Sequence, residues 1–366
     1  MYRDASGKQR SAGTFASKPA ARRAAEAAED AVRLGTWVDP RKGDLTFDEY
    51  VDDRWLPLMT VMTEVSTLAG YRSYLRAHFR PAFDGLKMRQ ITQALVQGWV
   101  VANVRKGKPG PTSIAKYHTM LHGLFRQAVA DGVIGVNPCA ETVLPKVPSA
   151  KARAAKRRVI TPADFDRFVA ELPEQWRDLA EADIETGMRW GELIAQRPRT
   201  LDVEECAFRV EQVIVEVSKA DSPTGERFVL KELPKDDEPR TLAISHGLVA
   251  RLVARAERLG LGPDDLFFST SVGTPLARGP FRKRVIVPAA RAAGLSGVTI
   301  RELRHAHASW SLAGGATLVE VQAQLGHSSL STTQLYVHAL AGAQTQALNA
   351  MQRVRASGEV PRLPAA

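Results

Sequence analysis

A histidine and a tyrosine nine residues apart, His327 and Tyr336, lie in the stretch Leu325-Gly326-His327-Ser328-Ser329-Leu330-Ser331-Thr332-Thr333-Gln334-Leu335-Tyr336. Gly326 reads as the stop of one helix. Ser331 reads as the start of the next, because Ser331 with Gln334 three residues on is a capping-box pattern. The turn between them holds the imidazole and the phenol at a set offset. That pairing suits covalent chemistry: a tyrosine oxygen is a nucleophile, and a histidine stabilises charge or moves protons. A buried tyrosine beside a helix-terminal histidine fits the same residues, so this stretch alone does not decide between the two.

Two segments upstream carry arginines suited to phosphate, since the planar guanidinium matches a phosphate bidentately and stays charged. In Glu185-Thr186-Gly187-Met188-Arg189-Trp190-Gly191-Glu192-Leu193, Gly187 ends a helix and leaves Arg189 near the start of the next. Free backbone N–H groups there also favour an anion. Glu192 follows on the next turn and either orients Arg189 or forms an ordinary surface pair with it. In Thr299-Ile300-Arg301-Glu302-Leu303-Arg304-His305-Ala306-His307-Ala308-Ser309, Arg301 and Arg304 share a helical face. Cleaving a phosphodiester needs a nucleophile, neutralisation of the oxygens at phosphorus, and a proton for the leaving oxygen.

In this order, the segments resemble the tyrosine recombinase family, and phage-type integrases in particular. That family shows Thr-Gly-x-Arg-x-x-Glu, a Lys in a β-hairpin turn, His-x-Leu-Arg-His, then Leu-Gly-His with a Tyr nine residues later. One position departs: Arg301 stands where the family usually has the first His, and an arginine supplies donors but cannot practically lose a proton. The resemblance implies Tyr336 as nucleophile and Arg189, Arg304, His327 and Arg301 as stabilisers of transition-state charge. It implies Lys235, in a predicted hairpin turn, as the donor to the leaving oxygen, with Lys231 on the preceding strand as rival. Glu192 and His305 are supporting residues, His307 reads as packing, and His338 lies outside the set. No cofactor and no metal are implied.

The elements that must position these groups read as mainly α with one small antiparallel β-sheet. Residues 1–16 show a strand–turn–strand pattern, with the second run ending at Phe15, and an Ala-rich helix runs from about Pro19 to Leu34, closed by Gly35. Helices follow from Thr46, over Ser66–Phe79 ended by Pro81, over Gln90–Val104 and over Ser113–Ala130. On the last of these, Tyr117, Leu121, Leu124 and Ala128 share the core face, and Arg72, Arg76, Lys116 and Arg126 are left for the outside. Thr161-Pro162-Ala163-Asp164 opens a further helix with a cap and Pro at N1, and helices continue to about Gln196. Strand-like runs cover Ala207–Val217, Arg227–Leu233 and Arg240–Ile244. Helices then return at 245–259 with Ser245 as cap, 279–292, 300–313, 317–325 and 331–353.

Charge and composition narrow the partners. The 366 residues carry net charge +10, which points to a polyanion. No apolar run approaches the roughly 20 residues of a membrane span, and no apolar signal core opens the chain, so the cytoplasm is expected. The two cysteines, Cys139 and Cys206, have no second Cys or His near them in sequence at metal spacing.

The expected division is an incomplete arm-type DNA-binding domain at 1–40, a helical core-binding domain at 45–145, a basic linker at 146–158, and a mixed α/β catalytic domain of tyrosine-recombinase type with a C-terminal tail at 159–366. DNA-backbone contacts are expected from the linker residues Lys151, Arg153, Lys156, Arg157 and Arg158, and from Arg72, Arg76 and Lys116. In the tail, Leu340, Leu348, Met351 and Val354 form an apolar stripe that the resemblance would dock on a neighbouring protomer. The implied function is site-specific DNA recombination through a 3′-phosphotyrosyl intermediate on double-stranded DNA, at core and arm sites, by a homotetramer. An accessory DNA-bending or directionality protein is a further expected partner, and no membrane. Two alternatives stay open: a type IB topoisomerase-like nicking and resealing enzyme, and a non-enzymatic DNA-binding protein on a recombinase scaffold.

Overall fold

The structure is a computed structural model, and it describes residues 1–3, 7–11, 14–33, 39–149, 159–232, 239–295 and 297–326. The chain divides into two compact units, Met1–Pro148 and Ser149–Ala366. No helix among the described residues is long and apolar enough to cross a membrane.

The first unit opens with a hairpin of two short strands, β1 (Tyr2–Arg3) and β2 (Gln9–Arg10), in antiparallel register Tyr2↔Arg10. The second strand is thus shorter than the run to Phe15 suggested. Helix α1 (Lys18–Arg33) follows, and the expected stop at Gly35 lies outside the described residues. Four helical runs then build one core: α2 (47–62), α3 (65–83), α4 (Gln93–Lys106) and α5 (Pro111–Ala130). Thr46 and Glu49 start α2 with a reciprocal capping box. Phe47 meets Phe83 at 5.3 Å and Phe125 at 6.2 Å, and Leu121, Leu124 and Ala128 of α5 complete the buried face. Near its end the unit is tied to α4, where Gln97 Nε2 donates to Val143 O and Gln97 Oε1 accepts from Val143 N–H.

Pro81 does not end α3. The helix widens just before it, with Arg80 N–H donating to Leu75 O five residues back, and continues to Phe83. Proline lacks the N–H and its ring crowds the carbonyl four residues back, so an ordinary turn is excluded there and a widened one is tolerated. The same device precedes Pro57 (Leu56 N–H to Val51 O) and Pro288 (Val287 N–H to Arg282 O).

The second unit starts with α6 (Pro162–Ala170), capped by Thr161, then α7 (Arg177–Thr186) and the short α8 (Trp190–Leu193). The expected single sheet is two. β3 (Leu201–Asp202), β4 (Ala207–Val210) and β7 (Arg240–Ala243) form one, in order β3-β4-β7; β5 (Gln212–Glu216) and β6 (Phe228–Glu232) form the other. The run Ala207–Val217 is broken at Glu211, whose carboxylate accepts from Arg199 at 3.1 Å. β6 pairs with β5, and β7 with β4. Lys235 itself lies outside the described residues.

Around these sheets lie α9 (His246–Leu259), capped by Ser245, α10 (278–292), α11 (Ile300–Ala313) and α12 (Leu318–Leu325). Phe208, Phe267, Phe268, Leu248 and Leu303 are fully buried in the main core. A smaller cluster, Ala308, Leu312, Val321 and Leu325, fastens α12 to α11. The mainly α architecture with small antiparallel sheets agrees with the fold expected from sequence.

Candidate active site

Helix α7 ends at Gly187, in the left-handed region at φ 60°, with its N–H donating to Asp183 O. A Cβ at Gly187 would come within 2.6 Å of the His307 ring and 2.9 Å of Leu325, so the position needs glycine for both handedness and space. His307, buried on α11, has Nδ1 at 2.8 Å from Ile184 O, and burial pushes its pKa down. It is therefore a packing residue, as expected, and it ties α11 to the end of α7.

The close approach sets Arg189 and Arg304 at one place. Arg189 is the cap residue of α8: its backbone N–H donates to Glu192 Oε2 at 2.8 Å and its Nη1 to Glu192 Oε1 at 2.8 Å. Its Nη2 donates to Gly326 O. Arg304 Nη1 donates to Gly187 O at 2.5 Å and Nη2 to Leu325 O at 2.8 Å. The two guanidinium groups thus reach successive carbonyls at the C-terminus of α12, which the αL residue Gly326 (φ 62°) closes. Helix C-termini carry unpaired carbonyls and the negative end of the dipole, so cations are at home there.

Glu192 is buried, with side-chain exposure of 2%, and faces a second cation as well. Arg240 of β7 donates from Nη2 to Glu192 Oε2 at 2.6 Å and from Nε to Gln324 O at 3.1 Å. Burial alone would raise the Glu192 pKa, but the flanking Arg240 and Arg189 outweigh it and hold the carboxyl below its ordinary range. Glu192 is therefore an anion shared by two arginines.

The structure thus brings together Arg189, Glu192 and Arg304. Arg301, one turn before Arg304 on α11, is exposed, and His305 is half-buried on the same helix. Lys231 is half-buried on β6, opposite Val213. Lys235, His327, Tyr336, His338, the tail stripe and the linker residues Lys151, Arg153, Lys156, Arg157 and Arg158 lie outside the described residues. In the first unit, Arg76, Lys116 and Arg126 are exposed and Arg72 is half-buried, and Lys116 Nζ sits 5.5 Å from the centre of the Tyr74 ring.

Sequence reading missed Arg240, Asp183 and one cysteine contact. Arg240 carried a signal: alternation along β7 puts it on the face of Leu242 and Ile244, both buried, and an inward arginine needs partners. Asp183 on α7 is fully buried. Cys206, in the left-handed region at φ 48°, has Sγ at 2.8 Å from Nδ1 of His246, forty residues away, a pairing that no local spacing announces. No group of three metal-suited side chains occurs among the described residues.

Residues 158–342 match the sequence model of the phage integrase family, and residues 46–102 match that of the phage integrase N-terminal SAM-like domain. The tyrosine recombinase XerD of Pseudomonas putida is 28% identical over 326 residues, spanning 84% of this chain and 97% of that protein. The integrase of Mycobacterium phage L5 is 23% identical over 308 residues, spanning 81% of this chain and 78% of that protein. Among solved structures, a lambda integrase dimer bound to a COC' core site superposes with TM-score 0.60 at 21% identity, over 91% of this chain and 90% of that one. The Tn1549 transposon integrase with circular intermediate DNA gives TM-score 0.62 at 16% identity, over 84% and 97%. At these identities the two structures speak for the fold.

Proposed function

The chain belongs to the phage integrase family of tyrosine recombinases, and from that premise we propose that it cleaves and rejoins double-stranded DNA with Tyr336 as nucleophile. Tyr336 Oη attacks a scissile phosphate as it gives up its phenolic proton, which in the net step makes good the one donated to the leaving oxygen; the new bond is O–P to the tyrosine, and the bond broken is P–O5′. A 3′-phosphotyrosyl link and a free 5′ hydroxyl result, with Lys235 giving its proton to the departing oxygen. The 5′ hydroxyl of a partner duplex then attacks the link, which restores the phosphodiester and frees the tyrosine. Arg189, Arg304, His327 and Arg301 stabilise the charge that builds on the non-bridging oxygens.

One observation supports this most: Arg189 and Arg304, 115 positions apart in sequence, both reach the end of α12, the residues directly before His327. Both are arginines, suited to a phosphate, and Arg189 is backed by the buried carboxylate of Glu192. A type IB topoisomerase-like enzyme and a non-enzymatic regulator find no support in the relatives, which are integrases and XerD recombinases.

The rest of the reading follows the same family. We assign 1–40 to arm-type DNA contact, 45–145 to core-site binding through Arg72, Arg76 and Lys116, 146–158 to a linker along the DNA backbone, and 159–366 to catalysis. A homotetramer on DNA is the working assembly, an accessory DNA-bending or directionality protein is a further partner, and the cytoplasm is the compartment. The test is a nicked duplex that traps the covalent link, built on the sequence the purified protein protects from nuclease. The parent protein yields a protein–DNA adduct on a denaturing gel, and Tyr336→Phe binds nearly as well and yields none. An adduct from Tyr336→Phe would move the nucleophile elsewhere.

A further inference from the structure

Arg240 touches two elements of the site besides its own strand, β7. Its Nη2 donates to Glu192 Oε2 at 2.6 Å on α8, and its Nε donates to Gln324 O at 3.1 Å on α12. Its guanidinium also lies flat enough against Gly326 that a Cβ there would stand 2.9 Å from Nη1 and 3.0 Å from Cζ. Gly326 therefore does two jobs: it closes α12 in the left-handed region, and it leaves room for Arg240.

Exposure separates this arginine from its neighbour. The Arg189 side chain is 42% exposed, and that of Arg240 is 13% exposed. An arginine meant to meet phosphate keeps donors open to solvent. Arg240 is largely covered and turns Nη2 to the carboxylate that also orients Arg189 and Nε to the helix end that precedes His327.

We infer that Arg240 is a positioning residue for strand cleavage, acting through Glu192 on Arg189 and through the end of α12 on His327, without contacting DNA. The fork geometry is the reason an arginine is required. Two N–H vectors at a fixed angle hold a carboxylate on one helix and a carbonyl on another, which a single ammonium cannot do. If α12 slips against α8, Arg189 and His327 lose their common frame, and a misplacement of about 1 Å costs on the order of a hundredfold in rate. The inference rests on the reading of Arg189, His327 and Tyr336 given above.

The experiment uses the full chain and the nicked duplex already described, with Arg240→Met and Arg240→Lys, each alone and combined with Glu192→Gln. At saturating protein, Arg240→Met is expected to slow single-turnover cleavage by about a hundredfold, and Arg240→Lys to recover only part of that. The salt dependence of binding stays that of the parent, because no phosphate contact is lost. Glu192→Gln costs much less in the Arg240→Met background than in the parent, since the two act along one path. Without DNA, amide exchange over 318–326 speeds up in both Arg240 variants, an arm that answers even if the parent forms no adduct and the proposed mechanism fails. Cleavage at the parent rate in Arg240→Met, a salt slope lowered by about one, or costs that simply multiply with Glu192→Gln would each overturn the inference. Should Arg240→Met not fold, the double variant with Glu192→Gln, which leaves no buried charge unpaired, carries the measurement. If that chain also fails to fold, Arg240 is a stability residue and the inference is wrong.

Discussion

Asp183 sits fully buried on α7, the helix that packs on α11, and neither of its carboxylate oxygens has a hydrogen-bond partner among the described residues. Burial pushes its pKa well above the ordinary carboxylate range, and the charge of Arg304 only partly opposes this. Burial therefore favours the neutral acid over the carboxylate at this position. The sign of the linkage follows. The unfolded chain releases this proton near pH 4, at about 3.9, and the folded chain holds it to higher pH, so folding stability falls with rising pH between the two values and then levels. Asp183→Asn removes that slope. Its melting temperature relative to the parent is expected to climb with pH from about 4 upward and then flatten. Parallel melting curves for the two proteins across that range would show that Asp183 titrates in the fold much as it does in the unfolded chain.

The junction between α7 and α8 decides where the arginines go. Gly187→Ala forces an L-residue into the left-handed region, at about 1–2 kcal/mol, and drives a methyl into His307 and Leu325, at about 1–3 kcal/mol more. Denaturant midpoints are expected to drop accordingly, and cleavage to fall further than the lost folded fraction explains, because Arg304 bonds to the Gly187 carbonyl itself. A variant with parent stability would mean that α7 and α11 separate easily. At this scale much was legible in advance. The caps at Thr46, Thr161 and Ser245, the Gly187 and Gly326 stops and the helix borders are local signals, written within a few residues. What stayed hidden was non-local. The corner at Glu211 depends on Arg199 from another element, and the continuation through Pro81 depends on a widened turn that no composition rule marks. Arg189, Glu192 and Arg304 stood in recognisable segments. Arg240 did not, because its partners lie 48 and 84 positions away.

Over the whole molecule, a net charge of +10 has two kinds of work to do, holding the DNA backbone and stabilising a reacting phosphate, and the two are separable by measurement. Lys151, Lys156, Arg157 and Arg158 follow in sequence on the boundary between the two compact units at 148/149, while Arg301 lies exposed one turn from Arg304. Neutralising the four linker residues is expected to weaken binding to all sequences alike. It should flatten the salt dependence by about one slope unit per lost phosphate contact, with cleavage by saturated complexes nearly unchanged. Arg301→Ala is expected to do the reverse, binding near normally and cleaving slowly, since a donor at the reacting phosphate is worth on the order of a hundredfold. Arg301→His should regain much of that loss, because histidine is the residue the family usually places there and it adds a proton that can move. Binding across a salt series beside single-turnover cleavage reads both halves at once. If Arg301→Ala cleaves at the parent rate, position 301 holds no part of the transition-state charge in this chain, and Arg189 and Arg304 with His327 carry it alone.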